Sequence, residues 1–179
     1  ALSYLIMMHI GFVLLVIGFV RLDAACGAAT FGALGDYFRT QPGLPLLLVF
    51  LAGFGMKAGL FPMHVWLPEA HPAAPSHVSA LMSGVMIKTG VYGVLRTAMY
   101  LPAGETLATA GVILLGAGIV TGLWGVLLAA MQNDIKRLLA YSSIENVGII
   151  FIAIGVALLG RSAGNDAVAL CGMAGALLH

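Results

Sequence analysis

Runs of apolar residues long enough to cross a lipid bilayer constrain this chain more than any other feature of its sequence. The first run, Leu2 to Val20, contains no Asp, Glu, Lys or Arg and is closed by Arg21 and Asp23. A membrane-spanning helix needs about 20 predominantly apolar residues. Only 8% of the residues are charged and 61% are hydrophobic, whereas about 25% are charged in an average soluble domain. The sequence therefore predicts an integral membrane protein and excludes a water-soluble globule.

Further apolar runs follow along the chain. We expect membrane spans at about residues 2–20, 44–61, 78–95, 107–131 and 138–159, and an incomplete one at 167–179. Between the first two, a short amphipathic turn is expected around Phe31 to Phe38, at the membrane interface. Gly118 and Gly122 have the spacing that lets a neighbouring helix approach closely. The predicted fold class is all-α, a polytopic transmembrane helix bundle that forms a single membrane domain.

The second predicted span is followed closely by prolines. Pro62, Pro68, Pro72 and Pro75 lie within a few turns of its end. A continuous helix therefore cannot run from Leu44 to Ser76, and we expect one proline-broken helix in the bundle. Non-helical backbone is tolerated at membrane depth only where it is buried in protein or lines a hydrated cavity.

Two lysines lie inside the predicted spans, Lys57 near the end of the second and Lys88 in the middle of the third. A lysine at the centre of a spanning helix costs about 2.5 to 3.5 kcal/mol on insertion scales. Desolvation favours the neutral amine, so a buried lysine can lose and regain a proton. The alternative for Lys57 is that its long stem carries the ammonium group to the interface. The alternative for Lys88 is a structural pair with an acid elsewhere.

Three histidines, His64, His71 and His77, fall in the proline-rich stretch, with Glu69 between the first two. Because histidine titrates near neutral pH, we expect these side chains to line a hydrated path and to exchange protons through water. A hydrogen-bonded cap is the alternative for any one of them. A zinc site is disfavoured because their spacing lacks the close ligand pair that zinc sites usually have.

Glu145 is the only acid well inside a predicted span, with Ser142 and Asn146 close to it in the sequence. Its carboxyl group could titrate, or it could pair structurally with a lysine on another helix.

The two cysteines, Cys26 and Cys171, are too far apart for a Cys-x-x-Cys motif. We expect no cofactor and no metal in this chain. A net charge of +1 does not fit a nucleic-acid-binding protein with a basic face. The apolar runs make the lipid bilayer an expected partner.

The stretch from Gly55 to Arg96, GMKAGLFPMHVWLPEAHPAAPSHVSALMSGVMIKTGVYGVLR, closely resembles one family of membrane proteins. These are the antiporter-like proton-channel subunits shared by respiratory complex I, membrane-bound hydrogenases and multisubunit sodium/proton antiporters. A second stretch, MQNDIKRLLAYSSIEN from Met131 to Asn146, resembles the same family's polar turn and the helix after it. The phrases HPAAPSHVSALMSGVMIKTG and YSSIENVGI are similar to the formate hydrogenlyase and hydrogenase-4 branch, since complex I members tend to carry an uncharged residue in place of Glu145.

The resemblance implies particular roles for residues of this chain. Lys57 would be the lysine of the family's broken seventh helix, Lys88 that of the eighth, and His179 the first histidine of the eleventh. With Glu145, His71 and His77, these are the candidate proton-transfer residues. Such subunits hold no redox centre of their own and sit in the cytoplasmic (inner) membrane. Their partners are other membrane subunits and a peripheral redox arm that carries nickel, iron-sulfur or flavin centres.

The resemblance covers nearly all of the chain but well under half of a complete subunit, so we interpret the sequence as a fragment. The family's glutamate on an earlier helix, which pairs with the lysine of the broken helix, has no counterpart here. Three functions compete on this basis. The first is a proton-translocating subunit of a redox-driven complex, the second a subunit of a sodium/proton antiporter that needs no electron donor, and the third a passive membrane anchor.

Overall fold

A computed structural model describes residues 2–179, and within that range the chain is helical without strands. The helices are α1 (Leu2–Cys26), α2 (Leu34–Thr40), α3 (Gly43–Ala58), α4 (Leu67–Ala73), α5 (Ser76–Leu81), α6 (Ile87–Met99), α7 (Glu105–Ala130), α8 (Ile135–Ser162) and α9 (Asp166–Leu178). A 3₁₀ turn, Phe31–Ala33, precedes α2, and a π-helical turn, Met82–Met86, joins α5 to α6. The predicted all-α fold class is confirmed.

Several helical stretches are long and apolar enough to cross a membrane: Leu2–Cys26, Ser76–Met99, Glu105–Ala130 and Ile135–Ser162. The second of these contains α5, the π-helical turn and α6 without a break. α1 continues beyond the predicted end of the first span at Val20. Charged residues such as Arg21 and Asp23 do not stop a helix where the headgroup region solvates them. The helix ends at Cys26, and the next residue, Gly27, has a positive φ of +69°.

The helix that carries Lys57 ends before the first proline of the proline-rich stretch. Gly59 adopts the left-handed conformation, with φ of +79°, and the N–H groups of Gly59 and Leu60 both donate to the carbonyl oxygen of Gly55. This is the usual glycine-terminated end of an α-helix. A non-helical segment then leads to α4, which begins at Leu67. The proline-broken helix expected between Leu44 and Ser76 stays a prediction.

Glycines bring several pairs of helices into backbone contact, and two of these contacts bear on the candidate site and on the predicted packing. In the first, α7 packs on α8, where a Cβ atom added at Gly118 would lie 2.6 Å from the main-chain nitrogen of Ile152. The close approach predicted for Gly118 is therefore confirmed. In the second, α6 packs on the end of α3, where a Cβ atom at Gly90 would lie 2.7 Å from the nitrogen of Ala58. This contact holds the α3 residue after Lys57 against the first turn of α6.

Candidate functional site

Lys57 lies in the last turn of α3 and is half-buried. Its side chain lines a cavity of about 290 Å³ together with Tyr4, Met8 and Gly11 of α1 and with Met86. The cavity walls are mostly apolar, and no carboxylate among residues 2–179 forms an ion pair with Lys57. The position places a titratable amine at a helix end, beside a cavity and next to the non-helical segment.

Lys88 lies in the first turn of α6, two residues before the contact at Gly90. Its side chain is exposed in the described range, so the prediction of a buried lysine is wrong within residues 2–179. The physical reason is that only 28% of the apolar window in Ser76–Met99 is buried by other described helices. The side of α6 that carries Lys88 faces a cavity rather than a packed helix.

That cavity has a volume of about 200 Å³ and is the most polar one at the candidate site. Besides Ile87 and Val147, it is lined by Ser83, Lys88, Ser143, Asn146 and His179. These polar residues come from the π-helical turn, α6, α8 and the end of α9. The structure therefore brings two predicted proton-transfer residues, Lys88 and His179, to one cavity.

Hydrogen bonds connect the polar side chains around this cavity. The hydroxyl groups of Ser83 and Ser143 lie 2.9 Å apart and join the π-helical turn to α8. Nε2 of His179 lies 2.9 Å from Oδ1 of Asn146. π-Helical turns occur often at functional sites because they change the direction in which side chains point. Here the π-helical turn places Ser83 beside α8.

His71 and His77 lie on consecutive short helices but differ in their surroundings. His71, on α4, is 2% exposed, and its Nδ1 lies 2.6 Å from the hydroxyl oxygen of Ser79 on α5. Its other ring nitrogen, Nε2, is buried without a hydrogen-bond partner among the described residues. His77 is exposed at the start of α5 and lines none of the cavities that contain Lys57 or Lys88.

His64 lies in the non-helical segment after α3 and is 6% exposed. Its ring stacks on Phe61, with centroids 5.6 Å apart, and its Nδ1 is buried without a partner among residues 2–179. The side chain borders an open cavity of about 530 Å³ that Glu69, Arg137 and Tyr141 also line. A buried imidazole nitrogen without a partner is unusual in native structures and calls for water or another group nearby.

Glu145 is half-buried on α8, where its main-chain nitrogen lies against Gly125 of α7. Its carboxylate forms no ion pair with a lysine among residues 2–179, so the structural pair considered for it is not found in that range. Glu145 does not line the cavity of Lys88 and His179, although the next residue, Asn146, does. The structure thus separates Glu145 from the other α8 residue at the site.

The histidines and acids do not assemble into a metal centre. Within residues 2–179, no three side chains among His, Cys, Asp and Glu are grouped closely enough to hold a metal ion. Cys26 and Cys171 are both free.

Sequence reasoning missed the hydroxyl groups that connect the site. Ser79, Ser83 and Ser143 each bond to a side chain on another element, but only Ser142 was singled out near Glu145. The pattern that could have found them is a serine within an otherwise apolar span, since such hydroxyl groups often bond across helices in membrane proteins.

Residues 1–173 match the family described as "NADH:quinone oxidoreductase/Mrp antiporter, TM". The chain belongs to this family. Both candidate lysines, Lys57 and Lys88, lie within the matched residues, whereas His179 lies beyond them. The predicted membership is confirmed.

Individual relatives agree with the predicted branch. Hydrogenase-4 component B of Escherichia coli (strain K12) is 47% identical over an alignment of 182 positions, which covers 98% of this chain and 26% of that protein. Formate hydrogenlyase subunit 3 of the same strain is 36% identical over 137 residues, 76% of this chain and 22% of that protein. The chain thus spans about a quarter of the length of these curated relatives.

A solved structure has the same fold. It is that of the membrane-bound sulfane sulfur reductase, an archaeal respiratory membrane complex. The match has a TM-score of 0.78 and 30% identity and covers 99% of this chain and 31% of the matched chain. The helix arrangement described above is therefore found within a larger subunit of a respiratory complex.

Proposed function

We propose that this chain is part of a proton-translocating membrane subunit of a redox-driven respiratory or hydrogenase complex in the cytoplasmic membrane. Lys57, Lys88, His71, His77, His179 and Glu145 are its proton-transfer residues. The observation that carries the proposal is the cavity that Lys88 of α6 and His179 at the end of α9 both line, together with serine and asparagine side chains. Ionisable groups inside membrane-spanning segments are rare and usually mark ion or proton pathways.

The buried histidines support a hydrated path near Lys57. Nδ1 of His64 and Nε2 of His71 are both buried without a partner among residues 2–179. Desolvating a polar group without a hydrogen bond is costly, so water is the simplest partner for each nitrogen. Histidines in contact with water exchange protons near neutral pH. The segment between α3 and α5 would then deliver protons to the region of Lys57.

Charge coupling supplies the driving force in this proposal. A carboxylate about 4 Å from a lysine contributes roughly 4 kcal/mol at an effective dielectric constant of about 20. Lys57 forms no ion pair within residues 2–179, and the proposal assigns its partner acid to another part of the complete subunit. Movement of that acid toward Lys57 favours the charged lysine, and movement away favours proton release.

Electron transfer takes place in partner subunits. The names of similar proteins include a hydrogenase component, a formate hydrogenlyase subunit and an NAD(P)H-quinone oxidoreductase chain. These names support a redox-driven complex with further membrane subunits and a peripheral arm carrying metal or flavin centres. This chain itself would hold no cofactor.

One experiment distinguishes the pump from its alternatives. Inverted membrane vesicles containing the full-length complex are supplied in turn with formate, hydrogen and NADH, and separately with a sodium gradient and no donor. We expect proton uptake only with one of the donors. Uptake driven by the sodium gradient alone would favour the antiporter. The absence of uptake under all conditions, in vesicles where the complex is assembled, would favour the passive anchor.

A further inference from the structure

The side-chain amide of Asn146 has a defined orientation. Its Nδ2 donates a hydrogen bond of 2.8 Å to the carbonyl oxygen of Ser142, one turn earlier on α8. Turning the amide over would place Oδ1 against that carbonyl oxygen, and two acceptors cannot bond to each other. The atom that lies 2.9 Å from Nε2 of His179 is therefore the amide oxygen Oδ1.

An amide oxygen accepts hydrogen bonds and donates none. Nε2 of His179 must consequently carry a hydrogen atom in this contact. Two forms of the ring satisfy the condition, the neutral Nε2–H tautomer and the doubly protonated imidazolium cation. The neutral Nδ1–H tautomer does not satisfy it, because its bare Nε2 would face the lone pairs of Oδ1.

We infer that Asn146 is a positioning residue that keeps Nε2 of His179 protonated, so that His179 gains and loses its exchangeable proton at Nδ1. The inference rests on the proposed function for its role in transport. In the loading step, Nδ1 takes a proton from water or from a neighbouring acid, and the neutral ring becomes the cation. In the unloading step, the same N–H bond breaks and the ring returns to the neutral Nε2–H form.

A hydrogen atom fixed on Nε2 limits how His179 can transfer protons. A histidine that relays protons through its ring takes a proton at one nitrogen and releases one from the other. Release from Nε2 would require Oδ1 of Asn146 to take the proton, and an amide oxygen is not a base near neutral pH. His179 therefore stores a proton beside the cavity that it shares with Lys88, and it does not pass protons across the ring.

The test reads the ring nitrogens directly. The full-length complex is labelled with ¹⁵N-histidine, and the resonances of His179 are identified by their loss in His179→Gln. We expect the wild type to show the Nε2–H tautomer at a pH where the ring is neutral. In Asn146→Leu, which removes the acceptor, the ratio of Nε2–H to Nδ1–H should fall about five-fold, the size expected for one net hydrogen bond. Asn146→Asp keeps an acceptor and should keep the Nε2–H form.

Asn133→Leu is the matched control, because Asn133 is an exposed asparagine in the turn before α8. It should leave the tautomer ratio unchanged. A wild-type ring in the Nδ1–H form would overturn the inference, as would an unchanged ratio in Asn146→Leu. The wild-type spectrum can still overturn the inference if Asn146→Leu does not assemble. The tautomer is measured without any transport, so a result that overturns this inference leaves the proposed function standing. Absence of donor-driven proton uptake would overturn the proposed function and leave the tautomer assignment standing.

Discussion

The indole Nε1–H of Trp66 donates a 2.9 Å hydrogen bond to the main-chain carbonyl oxygen of Met56, the residue before Lys57. This bond spans the non-helical segment and joins its far end to the last turn of α3. The carbonyl groups of a helix's last turn lack partners within the helix, and the indole N–H supplies a donor for the carbonyl group of Met56. Trp66 is fully buried, and its bond holds the main chain beside Lys57.

Replacing this tryptophan tests the connection. Trp66→Phe keeps an aromatic ring but removes the donor, and we expect a loss of about 1–3 kcal/mol because a buried carbonyl loses its partner. Thermal unfolding of the detergent-solubilised complex measures the change. Trp124→Phe is the control, since the ring of Trp124 is 43% exposed and its indole nitrogen makes no hydrogen bond within residues 2–179. Equal losses in the two variants would contradict the proposed role of the Trp66 bond.

Thr121 on α7 also bonds to the non-helical segment that follows α3. Its Oγ1 accepts a 3.1 Å hydrogen bond from the N–H of Phe61 and donates to the carbonyl oxygen of Ala117. We expect Thr121→Val to cost about 0.6–2 kcal/mol, the range for hydrogen bonds between elements in membrane proteins. Thr109→Val is a matched control, because Thr109 makes only the bond to its own helix. A control that loses as much stability would show that the bond to Phe61 contributes nothing.

Gly155 tests the backbone contact between α7 and α8. A Cβ atom there would lie 2.6 Å from the main-chain nitrogen of Leu115, and a backbone atom cannot move aside as a side chain can. Gly155→Ala should therefore separate the two helices and reduce the amount of assembled complex in the membrane. Gly116→Ala on α7 meets nothing within 4 Å and should assemble normally. Normal assembly of Gly155→Ala would contradict the contact.

Lys136 anchors the end of α4. Its Nζ donates a 3.0 Å hydrogen bond to the carbonyl oxygen of Ala74, the residue after the helix that carries His71. A charged hydrogen bond contributes about 1.5–3 kcal/mol, so Lys136→Met should speed amide hydrogen exchange in residues 67–74. Arg137→Met removes an exposed neighbouring charge and should leave exchange there unchanged. Unaltered exchange in Lys136→Met would show that this bond does not hold α4.

The fold could be predicted from the sequence to the level of helices and class. Long apolar runs and glycine spacing are local patterns, and they located α1, α7 and α8 and the close approach at Gly118. The end of the helix at Gly59 was not predicted, because glycine adopts positive and negative φ about equally readily and its presence alone does not mark a left-handed helix end.

The candidate site could be predicted only in part. Lysines, histidines and an acid in apolar surroundings stand out in any sequence, but which of them meet depends on how helices far apart in the chain pack. Lys88 and His179 share a cavity, whereas Glu145 and His77 lie apart from it. The bond between Ser83 and Ser143 joins positions 60 residues apart, and it depends on a π-helical turn that no local pattern indicated.

The central claim is that Lys57 transfers protons by losing and regaining one. Donor-driven proton uptake is measured in inverted vesicles with the full-length complex carrying Lys57→Met, Lys57→Arg or the control Arg39→Met, which alters an exposed residue of α2. Assembly and electron transfer are monitored in the same vesicles. Arginine keeps the positive charge but does not deprotonate in proteins, so it distinguishes a titrating amine from a structural cation.

We expect uptake to fall at least about ten-fold in both Lys57 variants, while the complex remains assembled and Arg39→Met behaves as the wild type. Full proton uptake in Lys57→Arg would show that uptake needs only the positive charge at this position. Full uptake in Lys57→Met would show that uptake needs neither the charge nor a titrating amine there. Either of these two results would contradict the account.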